Sequence, residues 1–275
     1  MPFGGNDWLA LTQEPTLEPE LPICDPHHHF WDFRPERIPY QRYLLHELVA
    51  DINSGHNVRS TVFIETRAMY RPDGPEELRP VGEVEFVQGL AAASARGLYG
   101  PARAAAAIVG HANLNLGERV EPVLEALQPA SPNRFRGIRQ SAAWDPHPEV
   151  ENRAPEGQLA DEKFRAGARV LARLGMSLDT TIYFPQLPEL ADFARAVPDL
   201  TIILNHIGGL YRVGPYGNRD DEVLPTWRKG IAAVAACPNV NIKLGGVGQP
   251  RYGFDWYART NPIGSEELAE SLAPL

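Results

Sequence analysis

The residues most able to do chemistry open with a run of three histidines, His27, His28 and His29, in Ile-Cys-Asp-Pro-His-His-His-Phe-Trp. Side chains alternate across an extended strand, so Asp25, His27 and His29 share one face and His28 points the other way. Neutral imidazoles that converge can bind a divalent ion, or can hydrogen-bond a carbonyl oxygen as negative charge develops on it. Both uses fit hydrolysis. Another imidazole, His206, stands in Asn-His-Ile-Gly-Gly far along the chain. Arg139 in FRGIRQSAAW offers a guanidinium that matches a carboxylate bidentately, and Arg67 offers a second. Glu65 is read as holding one of these arginines in place. His111 and Tyr183 complete the candidates for substrate binding, and Trp31, Trp144 and Tyr183 are candidates for an apolar wall. His46, His56 and His147 lie in loop-like contexts and are assigned no chemistry.

These residues need elements that bring them together. Short β-branched or apolar runs recur at 22–31, 60–66, 103–112, 135–141, 178–184, 200–207 and 240–246. Between most of them lie stretches with helical apolar spacing, such as VGEVEFVQGLAAASARG, EKFRAGARVLARLG, LPELADFARAV and LPTWRKGIAAVAAC. Strands alternating with helices predict a parallel sheet, and this many units over 275 residues predict an α/β fold of the (β/α)8 TIM-barrel type. Reactive groups of such a barrel collect where strands end, and the candidates above fall in those places. Only seven of the eight strand-helix units are evident, since SEELAESLAPL runs directly into the C-terminus. Residues 1–20 are read as an N-terminal arm, and 21–275 as the barrel, C-terminally incomplete by this count. The segments 32–57, 68–79 and 210–222 read as ordered loops over the mouth.

Composition narrows the function classes. A net charge of −9 argues against nucleic acid as a partner. No apolar run is long enough for a bilayer, and the first residues, rich in Pro and Glu, do not resemble a signal peptide. A cytoplasmic protein acting on a small molecule is expected. Neither a dinucleotide G-x-G-x-x-G after the first strand nor a phosphate-loop motif is present. The two cysteines, Cys24 and Cys237, are expected to be reduced and buried.

The segments ICDPHHHFWD, FRGIRQSAAW, FPQLPELADFARAVPDLTIILNHIGG and NVNIKLGG resemble the lactonase-like branch of the amidohydrolase superfamily, from about residue 20 onward. Its members include 2-pyrone-4,6-dicarboxylate lactonase and sugar-lactone hydrolases. The resemblance implies that His27 and His29 are the branch's strand-one pair and His206 its strand-six histidine. These hold one divalent ion (zinc or manganese) in metal-dependent relatives, and polarise the substrate carbonyl where no metal is used. FRGIRQS lacks the strand-four lysine or glutamate that bridges two metals, so the expected cofactor is one divalent ion or none. The aspartate that relatives carry at strand eight has no counterpart here, and Asp255 is not given its role. The general base is left unassigned.

The leading expectation is a hydrolase that opens a lactone of a carboxylated or hydroxylated small molecule. Water attacks a carbonyl polarised by His27, His29 and His206, and Arg139, Arg67, His111 and Tyr183 bind the substrate. One alternative is a metal-dependent decarboxylase of an aromatic or unsaturated acid. The other is an inactive truncated or non-catalytic barrel, and homo-oligomerisation through open sheet edges is expected of a seven-stranded form.

Overall fold

In the computed structural model, residues 6–32 and 42–275 are described. Part of the predicted mouth loop 32–57 therefore lies outside the described residues. Seven strands form one parallel sheet in sequential order: β1 (Ile23–His28), β2 (Val58–Ile64), β3 (Arg103–Gly110), β4 (Phe135–Arg139), β5 (Ser177–Thr180), β6 (Ile202–Leu204) and β7 (Val240–Ile242). All six neighbouring pairs are parallel. The sheet curls into a half-barrel of the TIM type. Among the described residues β1 and β7 are not paired to each other. Apart from β2, which is as long as its run, the strands are shorter than the apolar runs that predict them, because those runs continue past the regular ladder into the following turn. Isolated bonds extend the pairing, as in Glu65 N–H to Val109 O (2.8 Å) and Lys243 N–H to Leu204 O (2.9 Å).

Helices cover the outer face: α1 (Leu45–Ile52), α2 (Val81–Ala95), α3 (Glu121–Ala130), α4 (Glu162–Arg173), α5 (Leu187–Ala196) and α6 (Asp220–Ala235), while a last helix, α7 (Ser265–Leu272), buries none of its residues. α4 shows why the periodicity is readable: Phe164, Ala168, Val170 and Leu171 are buried on one face, and Asp161 caps the first turn through Lys163 and Phe164 N–H. The core is the layer between strands and helices, with Phe63, Ile108, Ile138, Leu178, Ile202 and Leu204 inaccessible to solvent. Gly209 allows one tight crossing: its φ is +67°, and a Cβ there would stand 1.8 Å from Ile182 O. No helix among the described residues is long and apolar enough to cross a membrane.

The edges differ from expectation at one cysteine. Cys237 is buried, but Cys24 is exposed. Cys24 lies on the face of β1 opposite His27 and His29, and among the described residues β1 is an edge strand with a neighbour on one side only. Leu244, just past β7 at the other edge, is 77% exposed. The described part of the N-terminal arm is tied to the C-terminal segment. Trp8 Nε1 donates to Arg259 O (3.1 Å), and the Glu14 carboxylate accepts from Ser265 N–H (3.0 Å) at the start of α7. That carboxylate occupies the position a capping side chain normally fills.

Candidate active site

The C-terminal ends of the strands bring three predicted imidazoles together. His27 Nε2 lies 3.2 Å from His29 Nε2, and the His27 and His206 ring centroids are 4.7 Å apart. His28 points away as alternation requires, packing edge-on against Phe30 (4.7 Å between centroids) and Phe63 (5.9 Å). His206 is placed by strained backbone: His206 and Ile207 have φ of +53° and +47°. The ring is backed by Gly246, where a Cβ would meet His206 Nδ1 at 2.2 Å.

Partners fix the tautomers. A backbone carbonyl can only accept, so His29 Nδ1 carries the proton donated to Ile64 O (2.7 Å), leaving Nε2 as the lone-pair nitrogen. His27 Nδ1 faces the Lys243 ammonium at 3.4 Å, a pure donor, which puts the His27 proton on Nε2, toward His29. His206 Nδ1 donates to Gly245 O (3.3 Å), so its Nε2 is likewise an acceptor. Burial pushes His27 far below the ordinary histidine range, helped by the Lys243 charge. Burial and then the Arg251 charge lower His206 to about 4. Both rings are neutral at neutral pH.

Sequence reasoning missed the ion pair behind them. Lys243 Nζ donates to Asp179 Oδ1 at 2.5 Å, and the side chains are 8% and 2% exposed. Burial pushes the Asp179 carboxyl up and the Lys243 ammonium down, each against the pull of its partner. The signal was available: an acid in SLDT and a base in NIKL, each inside an apolar strand, are residue types that enter a core only when paired.

Arg139 is less free than a clamp requires. Its Nε donates to Glu65 Oε1 (2.8 Å) and its Nη2 to Glu65 O, so Glu65 holds it as the sequence suggests. Glu65 rests beside Glu83 of α2, whose Oε1 accepts from Thr66 and Ala68 N–H at 2.9 and 2.8 Å and orders the turn that carries Arg67. Burial raises the Glu83 carboxyl to about 8. Arg67 has a left-handed backbone, φ +62°, and lines the mouth with Arg139. His111 donates Nδ1–H to Arg139 O (3.0 Å) and lines the adjoining pocket with Glu65, Arg139 and Ser141.

Tyr183 is not brought to the mouth. It is 5% exposed and its hydroxyl donates to Glu151 O (2.5 Å), because the chain turns inward at the Phe184–Gln186 helical turn. It secures the loop that carries Arg153. Of the predicted wall, Trp31 lines the mouth and stacks on His29 at 5.3 Å, whereas Trp144 is not among the mouth's lining residues. The cavity of about 560 Å³ is also lined by Arg153, Gln249 and Arg251, which sequence reasoning did not single out. The signal at Arg251 is weak, since it follows Gly-Gly-Val-Gly-Gln-Pro in a segment without periodicity.

Two features bear on a metal. The 3.2 Å between His27 and His29 Nε2 is the separation of two nitrogens each about 2.0–2.1 Å from one tetrahedral ion. The His29–Ile64 bond is the support that metal-binding histidines ordinarily receive. The pair therefore fits two positions of a divalent ion, with the His27 Nε2 proton displaced. Among the described residues no group of three or more His, Cys, Asp or Glu is placed to hold one.

Comparison with known proteins agrees with this architecture. An amidohydrolase family model matches residues 24–273. Uncharacterized protein y4mH of Sinorhizobium fredii is 29% identical over 261 residues, spanning 86% of this chain and 76% of that protein. An amidohydrolase from Burkholderia multivorans, solved with bound zinc, superposes with a TM-score of 0.63 at 22% identity, covering 91% of this chain and 78% of that one. A probable 2-pyrone-4,6-dicarboxylic acid hydrolase from Acinetobacter baumannii, solved with citric acid, gives 0.52 at 13% identity, covering 90% and 86%. At these identities the two solved structures speak for the fold.

Proposed function

The chain belongs to the amidohydrolase family and is an amidohydrolase-related hydrolase, and we propose that it opens the ring of a carboxylated lactone. The observation that carries this reading is the convergence of His27, His29 and His206 beside an arginine-lined mouth at the C-terminal ends of a parallel sheet.

The substrate's carboxylate is oriented by Arg67 and by the N–H groups of Arg139 not engaged by Glu65. The lactone carbonyl lies over the His27–His29 pair. The Nε2 proton shared by that pair is positioned to shift toward an oxygen that gains charge. Water adds to the carbonyl carbon and its proton goes to His206 Nε2, which is neutral and is the acceptor nitrogen of that ring. The ring C–O bond then breaks, the proton passes to the leaving oxygen, and a hydroxy acid departs. A single divalent ion, when bound at His27 and His29 Nε2, supplies Lewis-acid polarisation of the same carbonyl. The zinc of the Burkholderia relative favours such an ion in this chain as well.

The test is product analysis with a panel of carboxylated lactones. Ring-opened acid without carbon dioxide is expected. Carbon dioxide release from an unsaturated acid would replace this reading with decarboxylation.

A further inference from the structure

We propose that Lys243 is a positioning residue of the reaction, its Nζ donating to His27 Nδ1 so that His27 presents an Nε2–H donor to the substrate carbonyl. The proposal deepens the lactone reading, on which it rests for the carbonyl that His27 meets, and Lys243 itself transfers no proton.

His27 lies near the end of β1, whereas His206 follows β6 and Lys243 follows β7, and among the described residues β1 and β7 are not paired to each other. No ladder between those two strands therefore fixes His27 against the residues it faces, and side chains have to. Lys243 Nζ reaches His27 Nδ1 at 3.4 Å, across 216 positions of chain, and Asp179 Oδ1 holds the same ammonium at 2.5 Å. Asp179 stands in β5, which is paired on both sides, so the anchor itself is fixed. The Lys243 backbone is held as well. Its N–H donates to Leu204 O (2.9 Å), and its carbonyl accepts from Ile207 N–H (2.8 Å), a bond that secures the left-handed turn carrying His206. One residue thus sets both imidazoles, His206 through its backbone and His27 through its side chain.

The donor character of an ammonium decides what His27 can do. A lysine head has three N–H donors and no acceptor, so a ring nitrogen facing it keeps its lone pair and the imidazole proton stands on the other nitrogen. In the resting site that Nε2 proton points to His29 Nε2, 3.2 Å away. The bond to His29 is given up when Nε2–H turns to a substrate oxygen, and the contact with Lys243 is then what still dictates the tautomer. Asp25 does not take this part, because its Oδ1 accepts from the His27 backbone N–H (3.1 Å). With the proton on Nδ1 instead, Nε2 would aim a lone pair at the carbonyl oxygen and oppose the charge that develops there. The Lys243 and Asp179 side chains are 8% and 2% exposed, so water competes little for either bond.

The test compares wild-type protein with the double variant Asp179→Leu with Lys243→Met, which removes the donor and leaves no buried charge unpaired. Nitrogen-15 spectra of histidine-labelled protein, with His27 assigned through His27→Gln, read the ring directly. Wild-type His27 is expected to carry its proton on Nε2, and its Nδ1 resonance is expected to move to the position of a free acceptor in the double variant. In lactone turnover the double variant is expected to lose at least about tenfold in kcat with KM within about twofold, although its urea midpoint stays near that of the wild type. A purely structural pair would return kcat together with stability, and that result would overturn the proposal. So would a wild-type His27 protonated on Nδ1, an observation that needs no variant to fold, or an Nδ1 resonance that ignores the loss of Lys243. The spectra do not require turnover. The expected His27 signals in a protein that opens no lactone keep the positioning by Lys243 and remove the hydrolytic reading, whereas lactone opening at an unchanged kcat in the double variant does the reverse.

Discussion

Replacing Asp179 by Asn tests the least legible part of the site. The Lys243–Asp179 contact is 2.5 Å long and both side chains are more than nine-tenths buried. At an effective dielectric near 20 the gross attraction at that distance is roughly 6–7 kcal/mol, which offsets the cost of removing two charges from water. The Asp179→Asn variant would forfeit most of the attraction and leave the Lys243 ammonium buried against His27. The expected loss is about 3–5 kcal/mol of unfolding free energy, read by urea titration. Lys243→Met should cost a similar amount. The double variant Asp179→Leu with Lys243→Met should recover most of either loss, since no uncompensated charge remains. A loss below about 1 kcal/mol for Asp179→Asn, or a double variant as unstable as the sum of the singles, would refute the pairing as a buried unit.

Three further outcomes follow from the same geometry. His28 is buried with neither ring nitrogen hydrogen-bonded among the described residues, and burial lowers it from 6.5 to about 4, so the folded state resists protonation that the unfolded chain accepts. Stability is then complete above pH 6.5 and falls by about 3 kcal/mol as pH drops toward 4. His28→Leu should flatten that fall in melting curves. Glu83 runs the opposite way: raised from 4.5 to about 8, it favours the fold below pH 4.5, and up to about 5 kcal/mol is lost as pH rises through 8. Glu83→Gln, which keeps an acceptor for Thr66 and Ala68 N–H, should remove this alkaline loss. Gly246→Ala places a methyl against His206 Nδ1 at a φ of +81°. It should cost about 1 kcal/mol or more in melting experiments and should lower lactone turnover through displacement of His206.

Much of this was readable in the residues because the physics involved is local. Alternation along β1 separates His28 from His27 and His29, and the apolar face of EKFRAGARVLARLG predicts α4 directly. The parallel sheet and its seven strands also follow from counting runs. What was not readable depends on registry between distant strands. Lys243 meets Asp179 across 64 positions, and Tyr183 is drawn away from the mouth to a carbonyl at Glu151. Cys24 is exposed because an edge leaves it uncovered, which the apolar flanks of its own strand do not reveal. Arg251 and Arg153 sit on irregular loops, where no periodicity announces direction.

The most direct test of the central claim is the turnover of a carboxylated lactone, followed by proton release, in wild-type protein and in His206→Ala. The imidazole is assigned the water's proton, a role worth roughly 10²–10⁴ in rate. The variant should lose at least about 100-fold in kcat, with melting temperature little changed. A His206→Ala protein that opens the lactone at the wild-type rate would contradict the account.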